Sequence, residues 1–339
     1  MVRAWPEAPV YTALYDEGVV GDLVPKERVR TSALARLPGA NRNFRFLAPF
    51  YPRAFEAFDL SQYDLVISST SAWAKGVYFR PDAVHVCFIH TVSRFVFDYD
   101  RYVGGFGLAA IARPLVKRLV AWDLAAAARP THYVANSHTV AQRVVRYYGR
   151  TADVLHSPVD IARFAPGCAA GDYFVIASRL LPYKRIDLAI DAAQLAGVKL
   201  LVAGSGPAEH ALRERARGTT TTMLGFVDDA EVGRLIGSAK AAILPGEEDL
   251  GLVPLEAAAA GRPAIAYRGG GARETIVDGV TGTFFDEQTP QSLARALQRF
   301  DAASFDPQRL RAHAETFSPQ RFVARFRDIV DRVVAERRA

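Results

Sequence analysis

The sequence predicts an α/β protein with two domains, each built on a parallel β-sheet. The chain has 339 residues, which exceeds the usual size of one domain and favours two domains of roughly 150 residues each. Half of the residues are hydrophobic and 23% are charged, a composition typical of folded globular proteins. Short apolar runs alternate with helical patterns in both halves, as expected for βαβ units and a parallel sheet.

The alternation is clearest in the second half, from Tyr173 onward. Segments 184–197 and 228–239 have apolar residues at i, i+3 and i+4, which predicts amphipathic helices. Between such segments the pattern predicts strands over 173–178, 199–206, 220–227, 240–245 and 262–267. This order predicts a Rossmann-like domain, in which ligands bind at the carboxyl ends of the strands.

The first half shows a less regular version of the same pattern. Helices are predicted over 113–128 and 138–147, and strands over 63–70, 84–91, 132–137 and 152–158. The Pro-, Gly- and Ala-rich stretch 158–172 has no clear period and indicates an interdomain hinge. We therefore predict domains over 1–165 and 166–318, followed by a terminal helix over 319–339. That helix is amphipathic, and its apolar side either packs against a domain or contacts a membrane.

Composition excludes several classes of protein. Cys87 and Cys168 are the only cysteines and neither belongs to a CxxC pair, so disulfide and zinc frameworks are not expected. The sequence has neither an apolar run of about 20 residues nor a signal-peptide pattern, which favours a cytoplasmic protein. The net charge of +6 favours anionic partners. No platform of basic and aromatic residues supports nucleic-acid binding.

Segment 245–263, PGEEDLGLVPLEAAAAGRP, carries the strongest chemical signal. It leaves a strand, turns at Gly246, and enters a short helix that Gly261 is placed to cap. The first amides of a helix lack intrahelical acceptors, and the helix dipole also favours negative charge there. We therefore predict a site for a diphosphate at the backbone amides of Gly251, Leu252 and Val253.

Two other features of the second half allow more than one interpretation. Glu256 is predicted inside the first helical turn, where an acid can simply complement the helix dipole. Gly204 and Gly206 do not form a dehydrogenase fingerprint, because Glu209 stands where a third Gly or Ala is required. The glycine-rich segment 269–274 either approaches a ligand by its backbone or forms a plain loop.

Glu248, Glu256 and the seven residues between them resemble the Glu-x7-Glu motif of family 4 glycosyltransferases, which have the GT-B fold of two facing Rossmann-like domains. The resemblance implies that Glu248 faces the donor sugar and that Glu256 hydrogen-bonds the ribose hydroxyls. Segment 178–187 resembles the phosphate-binding segment of the family. It implies that Arg179 and Lys184 pair with the diphosphate and stabilise charge on the leaving group.

Other segments extend the resemblance over nearly the whole chain. Segment 87–98 resembles the strand end at which a histidine, here His90, faces the donor sugar, although a lone histidine at a strand end is more often structural. Segments 135–149 and 157–164 resemble the mannosyltransferase-like subgroup. GSGP and GFV match turns that lie beside the nucleotide, which adds Gly204, Gly206, Gly225, Phe226 and Val227 as donor-binding candidates.

The resemblance implies retaining transfer of a hexose, with mannose as first candidate, from a nucleoside diphosphate sugar to a glycan or lipid-linked acceptor. No second carboxylate is placed as a nucleophile, and front-face displacement is the mechanism usually proposed for the family. No cofactor and no metal are expected, because cations and a helix N-terminus can neutralise the diphosphate. The DYD run at 98–100 is the metal-binding alternative. Two rival functions are an epimerase of the same fold and a non-catalytic protein that binds sugar nucleotides.

The N-terminal region departs from the family pattern. Relatives have an additional strand, a glycine-rich loop and a helix ahead of the segment equivalent to 8–18, and this sequence starts almost at that segment. The first strand is central in a Rossmann sheet, so its absence leaves neighbouring backbone groups unpaired. We expect a misassigned start or a truncation.

Six arginines are interleaved with Leu and Phe between residues 28 and 58. They form either a solvated helical face or a surface that docks on anionic lipid, as a peripheral membrane contact, or on a lipid-linked acceptor. They are Arg28, Arg30, Arg36, Arg42, Arg45 and Arg53.

Overall fold

The computed structural model describes residues 1–44, 46–97, 109–164 and 171–339. Four features predicted from the sequence fall outside this part of the chain: the domain boundary after residue 165, the DYD run at 98–100, Arg45 and Cys168. Within it, one large parallel sheet organises the C-terminal half and a smaller parallel sheet organises the N-terminal half. This arrangement confirms the predicted α/β class.

The described strands follow the predicted apolar runs, with additional strands near both ends of the chain. They are β1 (Val10–Thr12), β2 (Val29–Thr31), β3 (Leu65–Thr70), β4 (Val84–Ile89), β5 (His132–Ala135), β6 (Asp153–Val154), β7 (Phe174–Ala177), β8 (Leu200–Ala203), β9 (Thr221–Gly225), β10 (Ala241–Leu244), β11 (Ala264–Tyr267) and β12 (Gly282–Phe285).

The described helices connect and cover these strands. They are α1 (Glu17–Val20), α2 (Tyr51–Glu56), α3 (Arg94–Phe97), α4 (Ala109–Ala127), α5 (His138–Tyr148), α6 (Ile186–Ala196), α7 (Glu209–Ala216), α8 (Asp229–Gly237), α9 (Leu252–Ala259), α10 (Ala272–Thr275), α11 (Pro290–Arg299), α12 (Pro307–Glu315) and α13 (Pro319–Arg338).

The C-terminal sheet has the strand order β12-β11-β10-β7-β8-β9, and all its pairs are parallel. Its first strand, β7, is central: the chain builds outward to β9 on one side and then crosses back to β10 on the other. The loops after β7 and β10 therefore diverge. Such a topological switch point creates a crevice at the carboxyl ends of the strands, where open α/β sheets bind their ligands.

Both faces of this sheet are covered, as the continuous apolar strands require. Side chains alternate between faces along a strand, and β7 shows the division. Phe174 and Ile176 pack into one buried cluster with α6 and α11, whereas Val175 packs into another with α9 and α12. The domain is therefore a three-layer structure with its core on both sides of the sheet.

The N-terminal sheet has the strand order β3-β4-β5-β6 and is also parallel. All six residues of β4 are buried, in keeping with its central place. Strands β1 and β2 pair only with each other among the described residues. A cavity of about 430 Å³ adjoins the outer edge of β3, and residues of both β1 and β3 line it.

Helix α13 returns from the C-terminal half to the N-terminal sheet. Phe322, Phe326 and Val330 are buried, and the two phenylalanine rings lie 5.3 and 5.8 Å from the ring of Phe88 on β4. The apolar side of the helix is thus buried against the sheet, which confirms packing against a domain. No described helix combines the length and apolar character needed to cross a bilayer.

A buried ion pair fixes the loops of the N-terminal half. Lys75 and Asp123 have no exposed side-chain surface, and their charged atoms lie 2.5 Å apart. Burial lowers the pKa of Lys75, and the charge of Asp123 opposes this effect. The hydroxyl groups of Ser93 and Tyr148 also donate to Asp123, at 2.5 and 2.7 Å. The network therefore ties the loops after β3 and β4 to helices α4 and α5.

A carboxylate of the C-terminal half caps a helix of the N-terminal half. Glu274 accepts hydrogen bonds from the backbone amides of His138 and Thr139, at 2.8 and 3.0 Å, where α5 begins. It also lies 2.9 Å from the ring nitrogen of His156. Burial alone would raise the pKa of Glu274, but these hydrogen bonds outweigh it and lower the pKa to about 2. Glu274 therefore stabilises the contact between the halves as an anion.

Replacing Glu274 by Gln should weaken this contact. At neutral pH we expect the free energy of unfolding to fall by about 1.5–3 kcal/mol, because hydrogen bonds to a charged group are lost. The pKa of Glu274 is lower in the folded chain than its ordinary value of 4.5. Its stabilising effect is therefore complete above about pH 5 and is lost as the pH falls toward about 2.

Urea unfolding of the wild type and the Glu274→Gln variant at a series of pH values measures this effect. The difference between the two proteins should shrink below about pH 4.5. Glu315→Gln, on an exposed carboxylate of α12, is the matched control and should leave stability unchanged. A difference that stays constant from about pH 6 to pH 3 would contradict the role of Glu274.

Candidate functional site

The candidate site lies at the switch point of the C-terminal sheet. The loop after β7 carries Arg179 and Lys184, and the loop after β10 carries Glu248. Because β7 and β10 are neighbouring parallel strands, their carboxyl ends bring these loops to the same edge. The crevice predicted from the strand pattern is therefore formed by the loops that carry the predicted charged residues.

Lys184 and Glu248 form an ion pair at the centre of this edge. Their side chains are only 18% and 12% exposed, so solvent screens the pair weakly. Burial raises the pKa of Glu248, and the ammonium group of Lys184 partly offsets that effect. The Lys184 ammonium also lies 5.4 Å from the ring centroid of Tyr183. The pair is thus a fixed, largely desolvated charge site.

Glycines allow the loops to approach closely enough for this contact. A Cβ atom on Gly246 would lie 2.6 Å from the carbonyl oxygen of Tyr183 and 2.8 Å from Cα of Lys184. Any other residue would push the loop of residues 245–251, here called the acidic loop, away from the loop that carries Lys184. Gly246 therefore sets the distance between the two charges through backbone packing.

Gly204 and Gly206 have a similar role on the other side of the loop after β7. A Cβ atom on Gly204 would lie 1.9 Å from the carbonyl oxygen of Ser178, and one on Gly206 would lie 2.4 Å from that of Leu180. The amide of Gly204 also donates to the carbonyl of Gly225 at 2.7 Å. These three predicted donor-binding glycines thus support the backbone on either side of Arg179, whose own side chain is exposed.

The glycine-rich segment 269–274 packs against the acidic loop. The amide of Gly271 donates to the carbonyl of Glu248 at 2.9 Å. A Cβ atom on Gly270 would lie 2.3 Å from that same carbonyl oxygen. The segment therefore packs closely against the backbone at Glu248, and its approach to a ligand stays a prediction.

Helix α9 begins at Leu252, with Gly251 in the left-handed region (φ 81°) as its cap. Pro254 is in its first turn, and Gly261 follows its end with φ 72°. The predicted anion site at the amides of Gly251, Leu252 and Val253 therefore lies at a true helix start. Leu252 is 39% exposed, so this end of the helix is accessible.

The prediction that Glu256 lies inside the first helical turn is wrong. Because α9 starts at Leu252, Glu256 is its fifth residue and begins the second turn. The influence of the helix dipole falls off within the first turn, so complementing the dipole is a weak explanation for this acid. Burial raises the pKa of Glu256, and the charge of Arg163 opposes the change.

The remaining donor-binding candidates lie at the end of β9. Gly225, with φ 77°, ends that strand. Phe226 follows it with 79% of its side chain exposed, and Val227 is half-buried. An exposed aromatic ring beside a strand end can stack on a planar ligand. Phe226 lies at the edge of the crevice, next to the loop of Gly204, and this position is compatible with the predicted contact to the donor nucleotide.

His90 lies at the end of β4, on the sheet of the other half. Its Nε2 atom is 2.8 Å from the hydroxyl oxygen of Ser69, and its ring packs edge-on against Phe88 at 5.0 Å. Burial lowers the pKa of His90, whereas the charge of Asp249 acts in the opposite direction. His90 is therefore a neutral hydrogen-bonding group near the acidic loop at physiological pH.

Several residues join the N-terminal half to the acidic loop, and the sequence had predicted no functional role for them. Arg94 and Arg143 of the N-terminal half both pair with the carboxylate of Asp249, Arg94 at 3.4 Å. The guanidinium of Arg94 also lies 4.6 Å from the ring centroid of Tyr183. The hydroxyl of Ser137 donates to the carbonyl of Asp249 at 2.6 Å. The acidic run at 247–249 was the only hint in the sequence of cations at this place, but it did not indicate which residues of the N-terminal half would pair with it.

Buried polar atoms without a protein partner mark the N-terminal side of the cleft. Four of them follow strands β4, β5 and β6: Thr91 Oγ1, Arg94 Nε, Asn136 Oδ1 and Ser157 Oγ. An unsatisfied buried polar group costs about 1–3 kcal/mol. Water or a bound ligand would satisfy these atoms, and their place at three successive strand ends is typical of a ligand site.

A metal centre is not evident in the described part of the chain, where no three His, Cys, Asp or Glu side chains cluster suitably. The DYD run at 98–100 lies outside that part. Cationic side chains near the site include those of Lys184, Arg94 and Arg143, with Arg179 exposed nearby in the chain. The arrangement can bind an anionic group by charge and by helix amides.

Comparison with known proteins gives matches in both halves. Residues 11–163 match Glycosyltransferase Family 4, and residues 167–316 match Glycosyl transferases group 1. A Pseudomonas aeruginosa glycogen synthase is 38% identical over 146 residues, which are 40% of this chain and 28% of that protein. A D-inositol 3-phosphate glycosyltransferase of Geodermatophilus obscurus is 30% identical over 300 residues, covering 77% of this chain and 64% of that protein.

A third relative is the GDP-mannose-dependent alpha-(1-6)-phosphatidylinositol dimannoside mannosyltransferase of Mycobacterium tuberculosis. It is 34% identical over 155 residues, which are 43% of this chain and 40% of that protein. The matched regions thus span less than two thirds of the length of each of these relatives.

Solved structures share the fold at low sequence identity. Sucrose-phosphate synthase from Thermosynechococcus elongatus has a TM-score of 0.69 at 18% identity, over 91% of this chain and 84% of that one. Anabaena HepE in complex with UDP-glucose has a TM-score of 0.63 at 17% identity, over 95% and 91%. Two Rossmann-like domains, the site between them and the two family matches lead to one conclusion: the chain belongs to the family 4 type of glycosyltransferases, with the GT-B fold.

Proposed function

We propose that this protein transfers a hexose from a nucleoside diphosphate sugar to a glycan or lipid-linked acceptor, with retention of anomeric configuration. The observation that carries the proposal is the Lys184–Glu248 pair at the switch point, next to the start of α9. A fixed cation and free helix amides at one edge suit a diphosphate, and a buried carboxylate beside them suits a sugar hydroxyl.

In this proposal Lys184 stabilises the negative charge that builds on the departing diphosphate, together with Arg179 and the amides of Gly251, Leu252 and Val253. Such preorganised groups act strongly because solvent is largely excluded from them. A bound diphosphate would compete with Glu248 for Lys184, which frees the carboxylate to accept from the sugar. Glu256, half-buried one turn beyond the helix start, would accept from the ribose hydroxyls.

His90 would contact the sugar from the opposite edge of the cleft. Its neutral ring can donate or accept one hydrogen bond, with Ser69 at 2.8 Å to orient it. No metal takes part in this scheme: protein cations and helix amides neutralise the diphosphate. The acceptor oxygen would bond to the anomeric carbon as the bond from that carbon to the diphosphate breaks, and the acceptor's proton would pass to the departing diphosphate.

Mannose is the sugar that we propose first. The mannosyltransferase-like segments 135–149 and 157–164 support it, as does the similarity to a mycobacterial enzyme whose name specifies GDP-mannose. Glucose is the main alternative, because a structural neighbour was solved with UDP-glucose and another relative is a glycogen synthase. The base of the nucleotide would differ accordingly, with GDP for mannose and UDP or ADP for glucose.

Thermal-shift screening with GDP, UDP and ADP, and with their sugars, tests the donor proposal. The nucleotide that binds should raise Tm, since ligand at 100 times its Kd stabilises the folded state by about 2.7 kcal/mol. NMR of the sugar products formed with and without acceptor glycans then separates transfer from epimerisation of the donor alone. If no nucleotide shifts Tm, the donor proposal is wrong.

Removing the charge of Lys184 should impair chemistry. In the Lys184→Ala variant we expect turnover to fall about a hundredfold to a thousandfold, because charge on the leaving group is no longer stabilised. Steady-state kinetics, with the donor that the thermal-shift screen selects, measures this fall in turnover. Lys240→Ala is the matched control, since Lys240 pairs with Asp172 on the surface and should tolerate removal. Unchanged turnover in Lys184→Ala would remove this residue from the site.

Glu256→Ala should mainly weaken nucleotide binding. Hydrogen bonds to a charged group contribute roughly 1.5–3 kcal/mol each, so Kd should rise about tenfold or more. Isothermal titration calorimetry with the nucleoside diphosphate provides the measurement. Glu336→Ala, at an exposed carboxylate of α13, serves as the control. An unaltered Kd would mean that Glu256 is a structural residue of α9.

A further inference from the structure

A groove of about 370 Å³ opens in the N-terminal half, and half of the residues that line it are aromatic. Aromatic residues make up only 11% of the chain, so the lining is strongly enriched. The volume lies within the range of small-ligand sites, about 300–1,000 Å³. The aromatic residues of the groove are Tyr15, Phe44, Tyr51, Phe55 and Trp73.

The rings of this groove are held in place by neighbouring contacts. The ring centroids of Tyr51 and Trp73 are 6.4 Å apart, with the planes at 41°. The hydroxyl of Tyr51 donates to the carbonyl of Phe44 at 2.9 Å, and Trp73 packs 5.6 Å from Trp122. The groove therefore presents a preformed aromatic surface, which reduces the entropic cost of binding.

Polar groups accompany the aromatic rings. Asn41 and Asp16 also line the groove. Asn41 donates one of its amide N–H groups to the carbonyl of Tyr15 at 3.0 Å, and the Asp16 carboxylate accepts from the amide of Gly18 at 3.2 Å. A pyranose ring has both an apolar C–H face and hydroxyl groups. Aromatic rings can stack on the C–H face, and amide and carboxylate groups can form hydrogen bonds with the hydroxyl groups.

The groove is connected to the strand end that carries His90. Trp73 follows β3, and the Thr70 hydroxyl at the end of that strand accepts from the amides of Ala72 and Ala74 at 2.9 and 3.2 Å. The carbonyl of Thr70 accepts from the amide of His90 at 2.8 Å, and the neighbouring Ser69 contacts the His90 ring. The loop that carries Trp73 is therefore built on the residues that position His90.

We infer that this groove binds a pyranose ring of the acceptor, and that the acceptor is recognised as a glycan by stacking on Tyr51, Phe44 and Trp73. The inference rests on the proposed transfer reaction and narrows its acceptor class. The groove's aromatic side takes the C–H face of the sugar, and Asp16 and Asn41 take its hydroxyl groups. The apolar part of a lipid would offer no partner to the hydrogen-bonding capacity that Asp16 and Asn41 retain beyond their backbone contacts.

The test measures binding of simple sugars to the full chain, with the nucleoside diphosphate present. The probes are the methyl α-glycosides of mannose, glucose, galactose and N-acetylglucosamine, observed by saturation-transfer difference NMR. Phe44→Ala and Tyr51→Ala should each weaken binding roughly two- to tenfold, because an aromatic contact is lost. Tyr51→Phe keeps the ring and should retain binding. Phe46→Ala removes a ring that is 81% exposed and outside the groove lining, so sugar binding should be unchanged.

Two further measurements separate failure of the groove inference from failure of the transfer proposal. Nucleotide binding and hydrolysis of the donor by water report on the donor site alone and should be preserved in both alanine variants. If the wild type neither binds nucleotide nor hydrolyses donor, the transfer proposal fails. If donor hydrolysis is intact but no glycoside binds, or both alanine variants bind like the wild type, the groove inference fails by itself. The groove inference would also be overturned if the wild type bound phosphatidylglycerol vesicles without any glycoside and if both Phe44→Ala and Tyr51→Ala abolished that vesicle binding.

Discussion

Close backbone approach at the carboxyl edge of the C-terminal sheet is the constraint on which the candidate site depends. The loop after β7 lies between two other loops, with Gly246 against Tyr183 and Lys184 on one side and Gly204 and Gly206 against Ser178 and Leu180 on the other. Side chains at these glycines would separate the loops, because their Cβ atoms would overlap backbone atoms. Lys184 reaches Glu248 only when this packing is intact. The proposed phosphate site therefore depends on glycine positions as much as on charged residues.

Three cations between the two halves, on Lys184, Arg94 and Arg143, have acidic partners before a ligand arrives. Lys184 pairs with Glu248, and Arg94 and Arg143 pair with Asp249. Buried charges left unpaired are costly, so these acids stabilise the cations within the partly desolvated crevice. An incoming diphosphate offers the same negative charge and more oxygen atoms. In the proposed function, binding would thus exchange one set of ion pairs for another.

The two halves contribute different parts of the site and are joined by several independent contacts. Glu274 caps α5, Asp249 pairs with two arginines, and α13 packs on the N-terminal sheet. His90 and the aromatic groove belong to the N-terminal half, whereas Lys184 and Glu248 belong to the C-terminal half. In the proposed reaction, this arrangement would place the donor side opposite the acceptor side. Transfer between two bound substrates requires this geometry, since both must be oriented at one point.

The sequence by itself determined the features that depend on near neighbours. Apolar periodicity predicted the strands from Tyr173 onward and the terminal helix, and the 245–263 segment predicted a helix start and its end at Gly261. Only the tertiary structure decided that Glu256 begins the second turn of its helix. It alone also showed two pairs of residues distant in sequence: Asp249 with Arg143, 106 residues apart, and Glu274 with His156, 118 residues apart. The aromatic groove also gathers residues from separate loops. Local patterns encode hydrogen bonding within a turn or strand, whereas these contacts depend on how two sheets and their loops pack in space.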